Sequence, residues 1–282
     1  MRICHLSDLH FGRHDTRVVE GLSDDLTAQR PDLVVVSGDF TQVGSESEFR
    51  AARAFLDTLT APVFAVPGNH DVPAHNLVRR FLDPYGLYRR YVAEDLEPFI
   101  EMEGVAIAGI KTSRRLRAGL NWAHGAINRR QLEALARRFE AASPNALRVV
   151  VAHHPLMQPE TIGEKPMRLV KRADLALETF SRLGVRLVLS GHFHLSYVRK
   201  HEQPGSVAQG APAGLRRAAL APILVAQASS TISTRLRGEP NGYNLIDIEN
   251  GRVTVTVRDW SSESWVTRDT ASGFSEAVPP TG

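Results

Sequence analysis

The run PDLVVVSG, residues 31–38, constrains the fold more than any other stretch. Its apolar core, Leu33 to Val36, follows a proline and stops at Ser37-Gly38. A strand with no polar alternation is buried on both faces, and such strands belong to sheets covered by helices. The neighbouring segments agree. RICHLS (2–7) and APVFAVPGN (61–69) read as strands, the second running into a turn. Residues 16–30 and 46–59 between them carry apolar side chains at helical spacing. The order β-α-β-α-β predicts stacked βα units.

The pattern resumes after an interruption. Residues 73–100 are helix-like, aromatic and rich in arginine, and read as a lid-like insertion over the edge of the sheet. Strands are expected at 104–112, 147–155, 185–194 and 222–229. Between them, 127–142 is an amphipathic helix with Leu132, Leu135 and Phe139 on one face, and 174–184 is a helix that Gly184 can stop. Residues 202–218 are rich in Gly, Ala, Pro and Arg and read as a loop. Residues 242–260 form two alternating runs around Asn250-Gly251, a hairpin signature. The sequence predicts one domain over 1–260 and a polar C-terminal tail over 261–282, with a short strand at Trp265-Val266.

Bulk properties narrow the class. With 34 basic and 31 acidic residues and no basic block, nothing points to a nucleic-acid polymer as partner. A single cysteine, Cys4, excludes an internal disulfide framework and reads as packing. No apolar stretch is long enough to span a membrane, and the N-terminus reads directly as a strand, so a cytoplasmic protein is the expectation. The oligomeric state is left open. The 242–260 hairpin can extend the sheet within one subunit or reach a partner in a homo-oligomer.

Chemistry gathers at the strand ends. Asp8-Leu9-His10, Gly38-Asp39, Gly68-Asn69-His70-Asp71, His153-His154-Pro155 and Gly191-His192-Phe193-His194 each follow an apolar run. In helix-covered sheets, sites are assembled at such ends. Taken singly, each residue is a strand-end polar group satisfied by backbone. Together they are Asp, Asn and His without a thiol, a donor set suited to Mn, Fe, Co or Zn. Asp8, His10, Asp39, Asn69, His153, His192 and His194 exceed the needs of one open metal site, but fit two ions sharing a carboxylate. In an extended segment residues i and i+2 point the same way, which makes sense of the D-x-H and H-x-H spacings.

The ordered series DLH, GD, GNHD, HHP, GHFH resembles the calcineurin-like metallophosphoesterase superfamily. LSDLHFG and HHP are similar to its bacterial class III cyclic-nucleotide phosphodiesterase and glycerophosphodiesterase group. The resemblance spans residues 8–194 and implies a four-layer α/β/β/α sandwich. It implies one ion on Asp8, His10, Asp39 and His194, and a second on Asp39, Asn69, His153 and His192, with Asp39 bridging. Ala152-His153 replaces the usual Gly-His, and the H-x-P form favours His153 over His154 as ligand. Manganese or an iron–manganese pair is the family expectation, and zinc or cobalt suits the same donors.

The resemblance also implies a reaction. A hydroxide bridging the two ions attacks phosphorus in line with the leaving oxygen. His70 stabilises the transition state or protonates the leaving oxygen, and Asp71 orients His70. His154 and His14 are candidate substrate contacts. The expected substrate is a small phosphodiester, a 3′,5′-cyclic nucleotide or a glycerophosphodiester. A phosphomonoesterase or nucleotide-lipid pyrophosphatase is the alternative. A non-enzymatic scaffold is disfavoured, because every ligand position and His70 are filled.

Overall fold

A computed structural model describes residues 1–114, 123–160, 166–202 and 222–273. Two six-stranded sheets make up its centre. The first uses β1 (Arg2–Leu6), β2 (Leu33–Val36), β3 (Val63–Ala65), β10 (Gly242–Glu249), β11 (Arg252–Ser261) and β12 (Ser264–Gly273), in the order β12-β11-β10-β1-β2-β3. The second uses β4 (Phe99–Met102), β5 (Val105–Ile110), β6 (Leu147–Ala152), β7 (Val185–Ser190), β8 (Tyr197–His201) and β9 (Ile223–Gln227), in the order β4-β5-β6-β7-β9-β8. In the first sheet β1, β2 and β3 are parallel. In the second β5, β6, β7 and β9 are parallel, with antiparallel β4 and β8 at the edges.

The buried side chains sort into layers by alternation along each strand. Leu33 and Val35 of β2 face inward, with Ile3 and Phe64, against Val149, Val151, Leu187 and Leu189 of the other sheet. Val34 and Val36 face outward onto α1 (Thr16–Gln29) and α2 (Glu46–Leu56), through Leu22, Leu26, Phe49 and Phe55. Val150 and Val188 face the opposite way, onto α5 (Arg129–Ala141) and α6 (Ala173–Arg182), through Leu132, Phe139 and Phe180. The result is the expected α/β/β/α sandwich. Its helices start where their caps dictate: Ser45 with Glu48, and Asn128 with Gln131, form reciprocal capping boxes.

Three expectations change. The 73–100 insertion contains α3 (Leu77–Leu82) and α4 (Gly86–Tyr91), but it is more than a lid. Tyr85, Leu87 and Tyr88 are buried in the core cluster of the first sheet, while Leu77, Val78, Phe81 and Leu82 stay exposed. Residues 261–273 are not a tail. β12 pairs along β11 from Ser261↔Ser264 to Val253↔Gly273, and Trp265 is buried against Tyr243. Its polar sequence hid it, because an edge strand needs only one buried face. β4 and β8 are edge strands too, four and five residues long. The hairpin is as expected, with Asn250 and Gly251 both in the left-handed region (φ 50° and 74°). The 202–218 loop lies, beyond Glu202, outside the described residues. Among the described residues no helix is long and apolar enough to cross a membrane.

Candidate metal centre

The parallel strands of both sheets deliver their C-terminal loops to one place. The loop after β1 lies along the loop after β2: Asp8 N–H donates to Gly38 O (3.0 Å) and His10 N–H to Asp39 O (2.9 Å). The two sheets meet where His153, after β6, donates from Nδ1 to Ser37 O (2.8 Å). His192 N–H, after β7, donates to Asp8 Oδ2 (2.7 Å).

The D-x-H and H-x-H segments are not extended. Asp8, His10, Asp39, His192 and His194 all have φ between 49° and 74°, a region that non-glycine residues rarely adopt. Such backbone persists only where the surroundings over-determine it, and it clusters at functional sites. The period-2 reading therefore gives way to a sharper one. With turns at each position, His192 and His194 diverge into different groups. Gly38 takes φ 99°, as expected of a turn glycine. Gly191 is needed for a different reason: a Cβ there would fall on the Ser7 hydroxyl and 2.5 Å from Asp8 Oδ2.

On one side lie Asp8, His10 and His194. Asp8 Oδ1 is 3.1 Å from His194 Nε2 and 3.6 Å from His10 Nε2. The two imidazole Nε2 atoms are 3.3 Å apart. On the other side, His153 Nε2 is 3.3 Å from Asp39 Oδ2, 3.1 Å from Asn69 Oδ1 and 3.3 Å from His192 Nδ1. Asp39 stands between them, since its Oδ2 is also 3.8 Å from His10 Nε2. Its Oδ1 accepts from His70 N–H (2.8 Å).

Backbone carbonyls set the histidine tautomers. His10 donates from Nδ1 to Thr41 O (3.2 Å), His194 to Arg235 O (2.7 Å), and His153 to Ser37 O. Each is left with Nε2 turned into the cluster, the arrangement that readies an imidazole for a metal. His192 instead presents Nδ1.

The electrostatics ask for positive charge. Burial pushes Asp8 up, but the charges of His194 and His153 help hold it well below the usual carboxylate range. Burial acts against His153, yet Asp39 draws its imidazole up to about 9. Asp8 Oδ1 is buried and has no hydrogen-bond partner. An orphaned carboxylate oxygen faced by two imidazole nitrogens is costly unless a cation completes it. The residues fit divalent metal ions.

The remaining candidates are placed differently. Asp71 is committed to the backbone around it. Its carboxylate accepts from the N–H groups of Asp39 (3.0 Å), Gly68 (2.8 Å) and Thr41 (3.1 Å) and from the Thr41 hydroxyl, so it clamps two loops. His70 is held by Gln42 O, to which its Nδ1 donates (2.6 Å). The His154 ring lies tilted against His192 (4.5 Å between rings), but both its nitrogens are engaged, with Thr112 Oγ1 (2.7 Å) and Ala123 O (3.1 Å). His14 packs on Phe11 and accepts from Gly12 N–H (3.3 Å). His154 therefore has both ring nitrogens committed within the protein.

Residues that the motifs did not reveal complete the site. The Ser7 hydroxyl donates to Asp8 Oδ2 (2.6 Å), and the Ser230 hydroxyl to Asp8 O (2.8 Å). Arg235 donates from Nη1 to Gln42 Oε1 and to His70 Nε2, both 3.3 Å. Ser230 and Arg235 belong to ASSTISTR, the polar stretch after β9. It is one more strand end, but without Asp or His it carries no metal signature.

Comparison with known proteins agrees with this geometry. A probable cyclic nucleotide phosphodiesterase of Synechococcus sp. is 27% identical over 212 residues, covering 71% of this chain and 75% of that protein. The glycerophosphodiester phosphodiesterase GpdQ of Enterobacter lignolyticus is 39% identical over 83 residues, 25% of this chain and 30% of that one. A dimetal phosphatase from Danio rerio has the same fold, with a TM-score of 0.63 at 12% identity over 95% of this chain and 98% of that one. The sequence profile of the calcineurin-like phosphoesterases matches residues 1–196. Seven-tenths of the sequence, the two-sheet fold and the clustered Asp and His side chains therefore lead to one conclusion: the chain belongs to the calcineurin-like phosphoesterase family, hydrolases of phosphoric esters.

Proposed function

We propose that the protein is a phosphodiesterase dependent on two metal ions, acting on small diesters such as 3′,5′-cyclic nucleotides or glycerophosphodiesters. The observation that carries this reading is the pair of donor groups sharing the Asp39 carboxylate. Asp8, His10, Asp39 and His194 would hold one ion. Asp39, Asn69, His153 and His192 would hold the other. His192 and His194 then serve different ions. Manganese or an iron–manganese pair is the proposed content, since the donors are all nitrogen and oxygen.

Two divalent cations held there would supply an activated water near neutral pH and neutralise phosphate oxygens. The protein's own part is positioning. Asp8 is fixed through Oδ2 by Ser7 and His192, leaving Oδ1 turned to the histidines. His70 is held at both ends, by Asp39 through its N–H and by Gln42 through Nδ1, with its ring edge-on to His10 at 4.8 Å. The names of the relatives favour a diester over a monoester.

Steady-state kinetics on a panel of mono- and diesters tests the proposal, with bound metals quantified by elemental analysis. Metal-dependent turnover with higher kcat/KM for diesters is expected. A preference for monoesters would overturn the substrate class. No turnover with Mn, Fe, Co or Zn would overturn the reading itself.

A further inference from the structure

Arg235 lies outside every motif that pointed to the site, yet its guanidinium meets His70. An arginine has five N–H donors and no acceptor. His70 commits Nδ1 as donor to Gln42 O, so its Nε2 carries the lone pair that accepts from Arg235 Nη1. In this arrangement Nε2 holds no proton to pass to a leaving oxygen. The family resemblance allowed His70 to act as proton donor, but the hydrogen bonds give it a different task.

We infer that Arg235 binds the phosphoryl group of the substrate, and that His70 is the positioning residue that aims it. This rests on the reading of the protein as a diester hydrolase. Nη1 is used by His70 and the Gln42 side chain, while among the described residues Nε and Nη2 make no hydrogen bond. Those donors form the planar fork that matches two oxygens of a phosphate. A diester anion presents two unesterified oxygens, and the fork takes one or both. The arginine is half-buried and fixed from several sides. Its N–H donates to Ser233 Oγ (3.1 Å), and its carbonyl accepts from His194. His70 is fixed in turn by Asp39 and Gln42. A cation held so firmly beside the cluster, with donors to spare and no carboxylate of the described residues within salt-bridge distance, is placed for an anion.

The test uses metal-loaded protein with bis(p-nitrophenyl) phosphate as substrate and inorganic phosphate as probe. Arg235→Met should lower kcat/KM by about 100-fold, the scale for loss of one transition-state donor. It should also weaken phosphate binding, read by calorimetry and by competitive inhibition, by about tenfold. Metal content should match the wild type. His70→Ala should lose activity comparably. His70→Gln should recover much of it, because its amide oxygen can still accept from the guanidinium. Adding His70→Ala to Arg235→Met should cost little more, as expected of residues that act as a unit.

Several results would overturn the inference. Arg235→Met could match the wild type in turnover and phosphate binding, or lose its metals. His70→Gln could be as inactive as His70→Ala while Arg235→Met stays active, which would return His70 to proton donation. Failure of the diester reading looks different: the wild type itself turns over no ester. Calorimetry with phosphate then still decides the role of Arg235.

Discussion

Asp71→Asn separates two roles for one carboxylate. Asp71 Oδ2 accepts from the N–H groups of Asp39 and Gly68, and Oδ1 from the N–H and hydroxyl of Thr41. Asparagine keeps the shape but only one acceptor oxygen. In its better orientation that oxygen keeps Asp39 and Gly68, and the amide NH₂ faces Thr41. The Thr41 hydroxyl can turn to accept, but the Thr41 N–H loses its partner. A buried unsatisfied donor costs about 1–3 kcal/mol, and charge-assisted bonds exceed neutral ones by about 1 kcal/mol. Against this, burial and the charge of Asp39 push the Asp71 carboxyl upward, and asparagine relieves that repulsion. The balance is a loss of about 2 kcal/mol. Urea denaturation in the presence of a chelator measures it free of metal. Elemental analysis of the loaded protein should show weakened metal retention, because the Asp39 backbone is displaced. Unchanged stability and full metal content, with turnover lost, would refute the clamp and return Asp71 to orienting His70.

Other perturbations probe the rest of the fold. Gly191→Ala places a methyl on the Ser7 hydroxyl and against Asp8 Oδ2; overpacking of this kind costs about 1–3 kcal/mol, and metal titration should show a weakened Asp8 side, with wild-type stoichiometry counting against it. Chelation should lower the melting temperature, since each ion at about 100 times its Kd adds about 2.7 kcal/mol. A melting curve indifferent to chelator would contradict a metal-completed site. Trp265→Ala, which empties the contact with Tyr243 and Trp260 (5.1 and 5.6 Å between rings), should cost about 3 kcal/mol or more. A variant ending at Ser261 should be destabilised at least as much, whereas an unchanged melting temperature would mean that 264–273 is a dispensable tail.

The layered sandwich was legible because its parallel strands are buried on both faces. LVVV at 33–36 and VRLVL at 185–189 have no other use in a helix-covered sheet. The strand-end residues were legible because parallel strands all end on one side. Polar residues after apolar runs therefore converge, and Asp, Asn and His name the chemistry. Edge strands were not legible. β12 is polar on its open face, and it is held by pairing with β11 and by the buried Trp265.

Residue type thus determined where the site lies and what it holds. Tertiary structure alone decided which atom meets which. Asp71 and His70 are adjacent in sequence, yet one clamps two backbone loops and the other accepts from an arginine 165 residues away. His192 and His194 diverge because their backbones turn through the left-handed region, a geometry that no two-residue spacing encodes. The physical reason is common to these cases. A hydrogen bond requires donor and acceptor to align within a few tenths of an ångström. Only packing of the whole chain can fix that alignment between segments so distant in sequence.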